Sequence, residues 1–301
     1  MARRGGEGPS GVAVVDKEAG WTSHDVVARA RRVLGTRRIG HAGTLDPDAT
    51  GVLVLGVGRA TRLLRYLGEL PKSYVGEIVL GTATSTLDAS GEVVATHDMS
   101  AVTDDEVRAA AAALTGDILQ VPPMVSALKV GGRRLHELAR EGVEVERRPR
   151  PVTVYRFDVE PVEGEAGVWR AEVVCSGGTY VRSLAADLGA ALGGSAHLRS
   201  LRRTAVGHLG LDRARPVDEL ELGPPALAVA HLAAVNVPDE VALEVRQGRV
   251  LDRERLGVTG DGPWAVMDRA GDLLAVYVAH RGRTKPEVVV APPDVTARGD
   301  R

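Results

Sequence analysis

Asp46 lies in the run Gly40 to Gly51, GHAGTLDPDATG, where glycine, threonine, alanine and proline surround two acids. A short carboxylate among turn formers can be held by backbone N–H groups and lifted clear of regular structure, as a covalent nucleophile must be. Such a turn also serves simple chain reversal or calcium binding. Calcium is excluded by position: a loop of EF-hand length starting at Asp46 needs Glu at its last place, where Val57 stands, and Pro47 stiffens the start.

Other familiar chemistries are missing. Gly56-Val-Gly58-Arg-Ala-Thr61 begins like a dinucleotide fingerprint but has Thr61 at its third glycine. No Gly-Lys-Ser/Thr phosphate loop, H-E-x-x-H pair or G-x-S-x-G elbow occurs. Cys175 is the single cysteine, which rules out an internal disulfide and a cysteine-built zinc site and suits a reducing compartment. What remains is a carboxylate enzyme with no cofactor and no metal.

The elements that must position Asp46 are legible on both sides of it. Gly11 to Val15 reads as a buried strand, and Thr22 with Asp25 makes a capping box for a helix whose apolar face is Val26, Val27, Ala30, Val33 and Leu34. Gly35 stops that helix, Arg37 and Arg38 precede the acidic turn, and the apolar run Val52 to Val57 follows it. A second helix is expected from about Ala60 to Leu67 and a strand over Ser73 to Leu80, with Tyr74 at its start. Thr103 and Glu106 cap an alanine-rich helix ending at Gly116. Strands are expected over Val152 to Val159 and Val168 to Cys175. Gly177, Gly178 and Thr179 then turn the chain into a helix with Val181, Leu184, Leu188 and Leu192 on one face and Tyr180 and Arg182 at its mouth.

The chain has 301 residues, 44% of them hydrophobic, enough for one large domain and a small one. The division expected is a short N-terminal extension over 1–10, a catalytic domain over 11–234 and a small domain over 235–301. Residues 121–152 form a basic, partly helical insertion carrying Lys129, Arg133, Arg134, Arg140, Arg147, Arg148 and Arg150. The tail reads as short strands at Val241–Val245, Trp264–Met267, Leu273–Val278 and Val288–Val290, a small barrel or sandwich. Net charge is -2, so phosphate binding falls to local clusters: Arg199, Arg202 and Arg203; Arg59, Arg62 and Arg65; and the insertion. No apolar stretch approaches a membrane span and no signal-like segment opens the chain, so the expectation is a cytoplasmic protein without membrane contact.

Five ordered motifs resemble one family, the bacterial tRNA pseudouridine-55 synthases, the TruB family of pseudouridine synthases. They are GHAGTLDPDATGVL around Asp46, KSY at Lys72 to Tyr74, PPMVSALKVGGRRLHELAREG from Pro122, CSGGTYVRSL from Cys175 and HLRSLRRT from His197. Glu18, Ser85 and His136 depart from the usual proline, aspartate and tyrosine. The resemblance implies a mixed α+β fold. Its catalytic domain would have a central, largely antiparallel sheet flanked by helices, and a β-rich, PUA-like RNA-binding domain would follow.

It further implies isomerisation of uridine 55 in the tRNA T-loop after the base is flipped out. Asp46 matches the catalytic aspartate, Tyr74 the tyrosine that stacks on the base, and Arg182 the arginine paired with the aspartate. Tyr180 and Leu201 resemble pocket residues, His41 a contact to the T-loop, and Lys129 and Arg202 further RNA contacts. The implied partner is the T stem-loop of tRNA, with no obligatory protein partner; a monomer is expected.

The reaction breaks the N1–C1′ bond, turns the uracil and rejoins it through C5, with no redox change. A carboxylate suits it, as in glycoside hydrolysis. Attack at C1′, attack at C6 and proton removal from the sugar all remain open. Arg182 would keep Asp46 ionised by its opposite charge. Two other readings stand beside it: a tRNA-folding assistant, whether as the main role or a secondary one, and a glycoside hydrolase, for which Asp48 is the one candidate second acid.

Overall fold

The computed structural model describes residues 8–126, 128–130, 132–135, 138, 141, 143 and 145–292. The chain enters through β1 (Gly11–Lys17), turns into helix α1 (Ser23–Val33) and returns through β2 (Ile39–Ala42) and β3 (Thr50–Val57). A 3₁₀ turn over Gly58–Leu63 and helix α2 (Leu64–Glu69) lead into β4 (Lys72–Leu80). The hairpin of β5 (Thr82–Thr84) and β6 (Val93–Thr96) and helix α3 (Asp104–Ala113) precede β7 (Gly116–Gln120). After the short pair β8 (Lys129–Val130) and β9 (Arg133–Arg134) come β10 (Arg150–Pro161), β11 (Val168–Cys175), helix α4 (Val181–Ala191), β12 (Ala196–Val206) and β13 (Leu209–Gly210).

These strands build a nine-stranded sheet in the order β1-β3-β12-β4-β11-β10-β7, with β2 on β3 and β13 on β12. The sheet is antiparallel except where β12 meets β3, pairing Arg202 with Thr50 and Arg203 with Gly51 in parallel. A largely antiparallel sheet with flanking helices is the expected architecture. Local sequence explains its helices. Thr22 accepts from the Asp25 N–H while Asp25 accepts from the Thr22 N–H, and Thr103 with Glu106 does the same for α3. The helix expected near Ala60 begins instead as the 3₁₀ turn, becoming α-helical at Leu64.

Apolar side chains from β4, β10 and β11 pack under α3 and α4 around Ile78, Phe157, Trp169 and Leu184. A second group, including Val15, Val26, Val27, Leu53 and Leu55, holds α1 against β1 and β3. Leu45, at the entrance of the Asp46 turn, is buried in this second group, so the turn is anchored to core.

The tail forms a second sheet, β14 (Ala233–Asn236), β15 (Trp264–Met267), β16 (Leu273–His280) and β17 (Arg283–Val289), with helices α5 (Asp239–Arg246) and α6 (Arg253–Leu256). One sequence expectation is corrected here: Val241–Val245 is helical, not a strand. Val241, Ala242 and Val245 share one helix face, and Asp239 and Glu240 occupy the first turn after Pro238. A short apolar run fits either period, and here helix-start chemistry decides.

The two sheets share core. Ala265, Leu273, Val276, Val288 and Val290 of the tail pack in one group with Val12, Val54, Leu63 and Leu67. Of the basic insertion, Leu135 and Leu138 are buried, and Arg147 donates to the Pro122 carbonyl at 3.1 Å. Arg140 and His136 lie outside the described residues, with 127, 131, 137, 139, 142 and 144 of the same segment.

Candidate active site

The Asp46 turn joins β2 to β3 and is fixed from below by two buried side chains. Ser23, the first residue of α1, accepts from the Leu45 N–H at 2.9 Å and donates to the Leu45 carbonyl at 3.2 Å. Lys17, at the end of β1 and 1% exposed, donates to the carbonyls of Glu18 at 2.9 Å, Trp21 at 2.7 Å and Pro47 at 2.8 Å. The Gly20 N–H also donates to Pro47 O at 2.9 Å, and Ala49 N–H closes the turn on Asp46 O. Burial pushes the Lys17 ammonium down to about 8, with Asp48 and Asp46 working against that shift. The nucleophile candidate thus stands on a backbone held at three successive points.

Arg182 meets Asp46 from the first turn of α4. Its Nε lies 2.9 Å from one carboxylate oxygen and its Nη2 donates to the other at 3.1 Å, a two-pronged pairing that fixes the carboxylate plane. The same guanidinium donates to Thr86 O at 3.0 Å and Val125 O at 2.9 Å and lies 3.4 Å from Asp88. The Arg182 side chain is 4% exposed, while Asp46 keeps 44% of its surface open toward the cavity. Asp88 is itself oriented by Thr86 and Ser90, whose hydroxyls donate to it.

Arg182 acts on Asp46 in the expected direction, favouring the ionised form, against a larger opposing influence. Burial in the surrounding protein is the larger influence and raises the Asp46 carboxyl above the ordinary aspartate value. Arg182 pulls it down and Asp88 pushes it up again.

Asp46 opens onto a cavity of about 250 Å3 whose lining includes Tyr74, Tyr180, Arg182, Leu201, Lys72 and Arg203. Tyr74 projects from β4, and burial raises its hydroxyl above the ordinary phenol value while the Arg203 guanidinium opposes the shift. Tyr180 caps α4 and is held by Gln120, whose amide accepts from the Tyr180 N–H at 2.8 Å and donates to its carbonyl at 3.1 Å. Leu201 comes from β12. A second cavity of about 260 Å3, lined by Asp48, Asp88, Leu198 and Ser200 among others, lies on the far side of the Asp46 and Arg182 pair.

The sequence therefore brought Asp46, Tyr74, Tyr180, Arg182 and Leu201 to one place. His41 does not line this cavity: it sits on β2 with its ring 5.7 Å from that of His24, edge to face, and burial lowers its basicity. Arg202 also lies apart, paired with Asp16 at 2.7 Å. The Lys129 backbone pairs with Arg134 in the β8–β9 hairpin, and its side chain is outside the described set. Asp48 borders the second cavity, and Asp88 is the second carboxylate on Arg182.

Members of two of the basic groups expected to meet phosphate have partners within the protein, and Arg203 alone of them is buried. Arg199 pairs with Glu77 and Glu165, and Arg203 is 1% exposed with its Nε on Val52 O at 2.6 Å and its Nη2 on Gly43 O at 3.0 Å. Arg59 donates to the Val290 and Ala291 carbonyls, Arg62 to Val289 O, and Arg65 pairs with Glu287. Sequence reasoning missed Lys17, Ser23, Asp88 and Gln120 as positioning groups. Lys17 alone carried a signal, a cation at the end of a strand whose run Val12–Val15 is apolar on both faces.

Among the described residues no group of three or more His, Cys, Asp or Glu is placed to hold a metal ion, and no helix is long and apolar enough to cross a membrane.

A carboxylate clamped by arginine at a base-sized recess, on a mixed sheet with a second β-rich unit, marks the class of pseudouridine synthases. Residues 31–181 match the family described as TruB family pseudouridylate synthase (N terminal domain). The chain is 50% identical over 293 residues to tRNA pseudouridine synthase B of Rhodococcus jostii (strain RHA1), covering 94% of each. It is 47% identical over 297 residues to the protein of that name from Arthrobacter sp. (strain FB24), covering 94% of this chain and 97% of the relative. Among solved structures it resembles a chain of an H/ACA ribonucleoprotein bound to a substrate RNA containing 2'-deoxyuridine. That match has TM-score 0.70 and 25% identity over 94% of this chain and 86% of the other. A chain of an archaeal box H/ACA Nop10-Cbf5 complex matches with TM-score 0.70 and 26% identity, over 94% and 87% of the two chains. The chain belongs to the TruB family of pseudouridine synthases.

Proposed function

We propose that this chain isomerises uridine 55 in the T-loop of tRNA to pseudouridine, with Asp46 as the nucleophile and no cofactor. The observation that carries the reading is the two-pronged clamp of buried Arg182 on Asp46 at the mouth of a cavity of about 250 Å3 walled by Tyr74, Tyr180 and Leu201. That volume is below the range of drug-sized ligands and suits one flipped base. The names of the relatives, tRNA pseudouridine synthase B, support the substrate class.

The uracil ring enters against Tyr74, where stacking contributes about 1–3 kcal/mol toward the cost of extrusion. Leu201, a diagonal neighbour of Tyr74 on the adjacent strand, and Tyr180 complete the lining. Tyr74 keeps its proton at neutral pH, since burial raises its hydroxyl, so it meets the base as a neutral phenol. Asp46 engages the nucleoside while Arg182 fixes the direction of its oxygens. The N1–C1′ bond breaks, the base turns within the recess, and C5 bonds to C1′ as the C5 proton leaves. Arg202 and His41 do not line the cavity, and their roles, like that of Lys129, are contacts to the RNA body. The small C-terminal unit over 235–301 extends that RNA surface, the insertion over 121–152 grips the T stem, and one chain acts as a monomer in the cytoplasm.

The test is tritium release from a T-arm transcript labelled at uridine C5, comparing the parent with Asp46→Asn. Release by the parent alone is expected, with RNA affinity retained by the variant. Release by both would remove Asp46 from the chemistry. No release by either, with tight binding, would leave the folding-assistant reading in its place.

A further inference from the structure

Lys72 and Arg203 are buried cations on the wall of the candidate active site, and neither has a carboxylate within ion-pairing distance among the described residues. Lys72 is 4% exposed. Its ammonium donates to the Gly68 carbonyl and to Leu70 O at 2.6 Å, which leaves one of its three N–H groups uncommitted. Arg203 uses Nε and Nη2 on Val52 O and Gly43 O and turns Nη1 toward Gly43.

Glycines make room for both tips. A Cβ on Gly43 would lie 3.4 Å from Arg203 Nη1 and 3.9 Å from Lys72 Cε, and one on Gly177 would lie 3.1 Å from Lys72 Nζ. Gly43 also has φ +80, which favours glycine on its own account. Two uncompensated charges are costly to bury, so a fold that keeps both beside one recess has a use for positive potential there.

The chemistry proposed above generates the matching charge. If the N1–C1′ bond breaks, its electron pair stays with the base as a uracilate anion. If Asp46 adds to C6 instead, the electrons of the ring double bond move to O4. Either route loads negative charge on the uracil carbonyl oxygens. We propose that Lys72 and Arg203 form an electropositive floor that takes up this charge, Lys72 donating its spare N–H to the base and Arg203 supplying field from beneath Tyr74. Burial lowers the Lys72 ammonium to about 8, so it carries its charge at neutral pH. Asp46 supplies the bond to the sugar or ring on one side of the recess, and the cations receive the charge displaced on the other.

This inference rests on the isomerase reading, and the experiment separates the two. Single-turnover loss of the starting nucleoside is measured on T-arm RNA carrying either uridine or 5-fluorouridine at the target, by nucleoside digestion and chromatography, for the parent, Lys72→Gln and Lys72→Arg; the rearranged 5-fluoro base keeps its fluorine, having no C5 proton to lose. Removing a preorganised donor at a developing charge slows the chemical step by about 10²-fold or more. Lys72→Gln is expected to show that loss on uridine, with RNA affinity within about twofold of the parent. Fluorine at C5 draws electron density from the ring, so the base holds its own charge better and the loss on 5-fluorouridine shrinks to about tenfold. Lys72→Arg retains charge and recovers much of the uridine rate. Equal losses on both substrates, or a loss confined to RNA affinity, would overturn the electropositive floor while leaving the isomerase intact. A parent inactive on uridine would sink the reading beneath it. Should Lys72→Gln fail to fold, the substrate contrast in Arg203→Lys, which keeps charge but shortens its reach, decides the matter in the same way.

Discussion

Replacing Gly51 by alanine isolates how closely β3 must approach β12. Gly51 and Arg203 are partners in the parallel segment of the large sheet. A Cβ on Gly51 would lie 2.2 Å from Arg203 O and 3.0 Å from its C and N, all backbone atoms that no rotamer change can move away. Gly51 also has φ +96, and Gly116, at the start of β7, has φ +102 with nothing within 4 Å of its added Cβ. The two positions share the backbone strain, about 1–3 kcal/mol for an L-residue in such a region, and differ in the collision. Overpacking adds about 1–3 kcal/mol. At roughly 2 °C of melting temperature per kcal/mol for a chain of this size, Gly51→Ala should melt about 2–6 °C below Gly116→Ala. Because β12 carries Leu201 and Arg203 into the cavity wall, its displacement should also slow isomerisation, whereas Gly116→Ala should leave the rate near that of the parent. Thermal melts followed by circular dichroism, with single-turnover rates on the same preparations, test both statements. Equal melting temperatures for the two variants would refute the claim that backbone contact at Gly51 sets the sheet spacing.

Stability should rise with pH between about 8 and 9.5. Lys17 and Lys72 are pushed by burial from 10.5 to about 8, so in this window the unfolded chain binds more protons than the folded one. Cys175, raised to about 11, opposes them above its ordinary value of 9.0, one group against two. Urea midpoints at pH 7.5 and 9.5 check this, with Lys72→Met expected to lose about half of the rise; a falling midpoint in the parent would contradict it. Arg59→Ala removes charged donors to the Val290 and Ala291 carbonyls, worth about 1–3 kcal/mol. Hydrogen exchange should then speed up in β17 before β12; uniform acceleration would show that this contact does not hold the tail. Gln120→Ala unpins the Tyr180 backbone and should slow single-turnover isomerisation more than it weakens RNA binding, as filter binding beside rate measurement would reveal.

The parts of this fold legible in the sequence are those where local chemistry agrees with the final environment. Both capping boxes start helices, and the runs ending at Val57 and Cys175 become strands. The Asp46 turn was legible because Gly43, Pro47 and Gly51 mark it as non-repetitive, and Arg182 because Gly177 and Gly178 announce the start of a helix. The Val241–Val245 segment misled because its apolar spacing fits two periods, and only the acids after Pro238 tip it to a helix. The partners of the arginines were hidden for a different reason. Charge clusters read as surface unless the partners are known, and those partners, Glu77, Glu165, Glu287 and the carbonyls of β12's and β17's neighbours, are remote in sequence. Asp88 was invisible for the same reason: its connection to Asp46 runs through Arg182, contributed from nearly a hundred residues away.

The arginines of the Gly58–Glu69 segment give the tail a role in the cavity floor. That segment is fastened to β17 and the residues after it through Arg59, Arg62 and Arg65, and its far end presents Gly68 O to Lys72. A chain shortened at the start of the second sheet would lose more than contact area for RNA. It would bare the Val54, Leu63 and Leu67 side of the shared core and release one wall of the ammonium's cage. Truncation would therefore register as slower chemistry even on a minimal stem-loop too small to reach the tail. Grafting the catalytic unit onto another targeting module would require rebuilding that wall first.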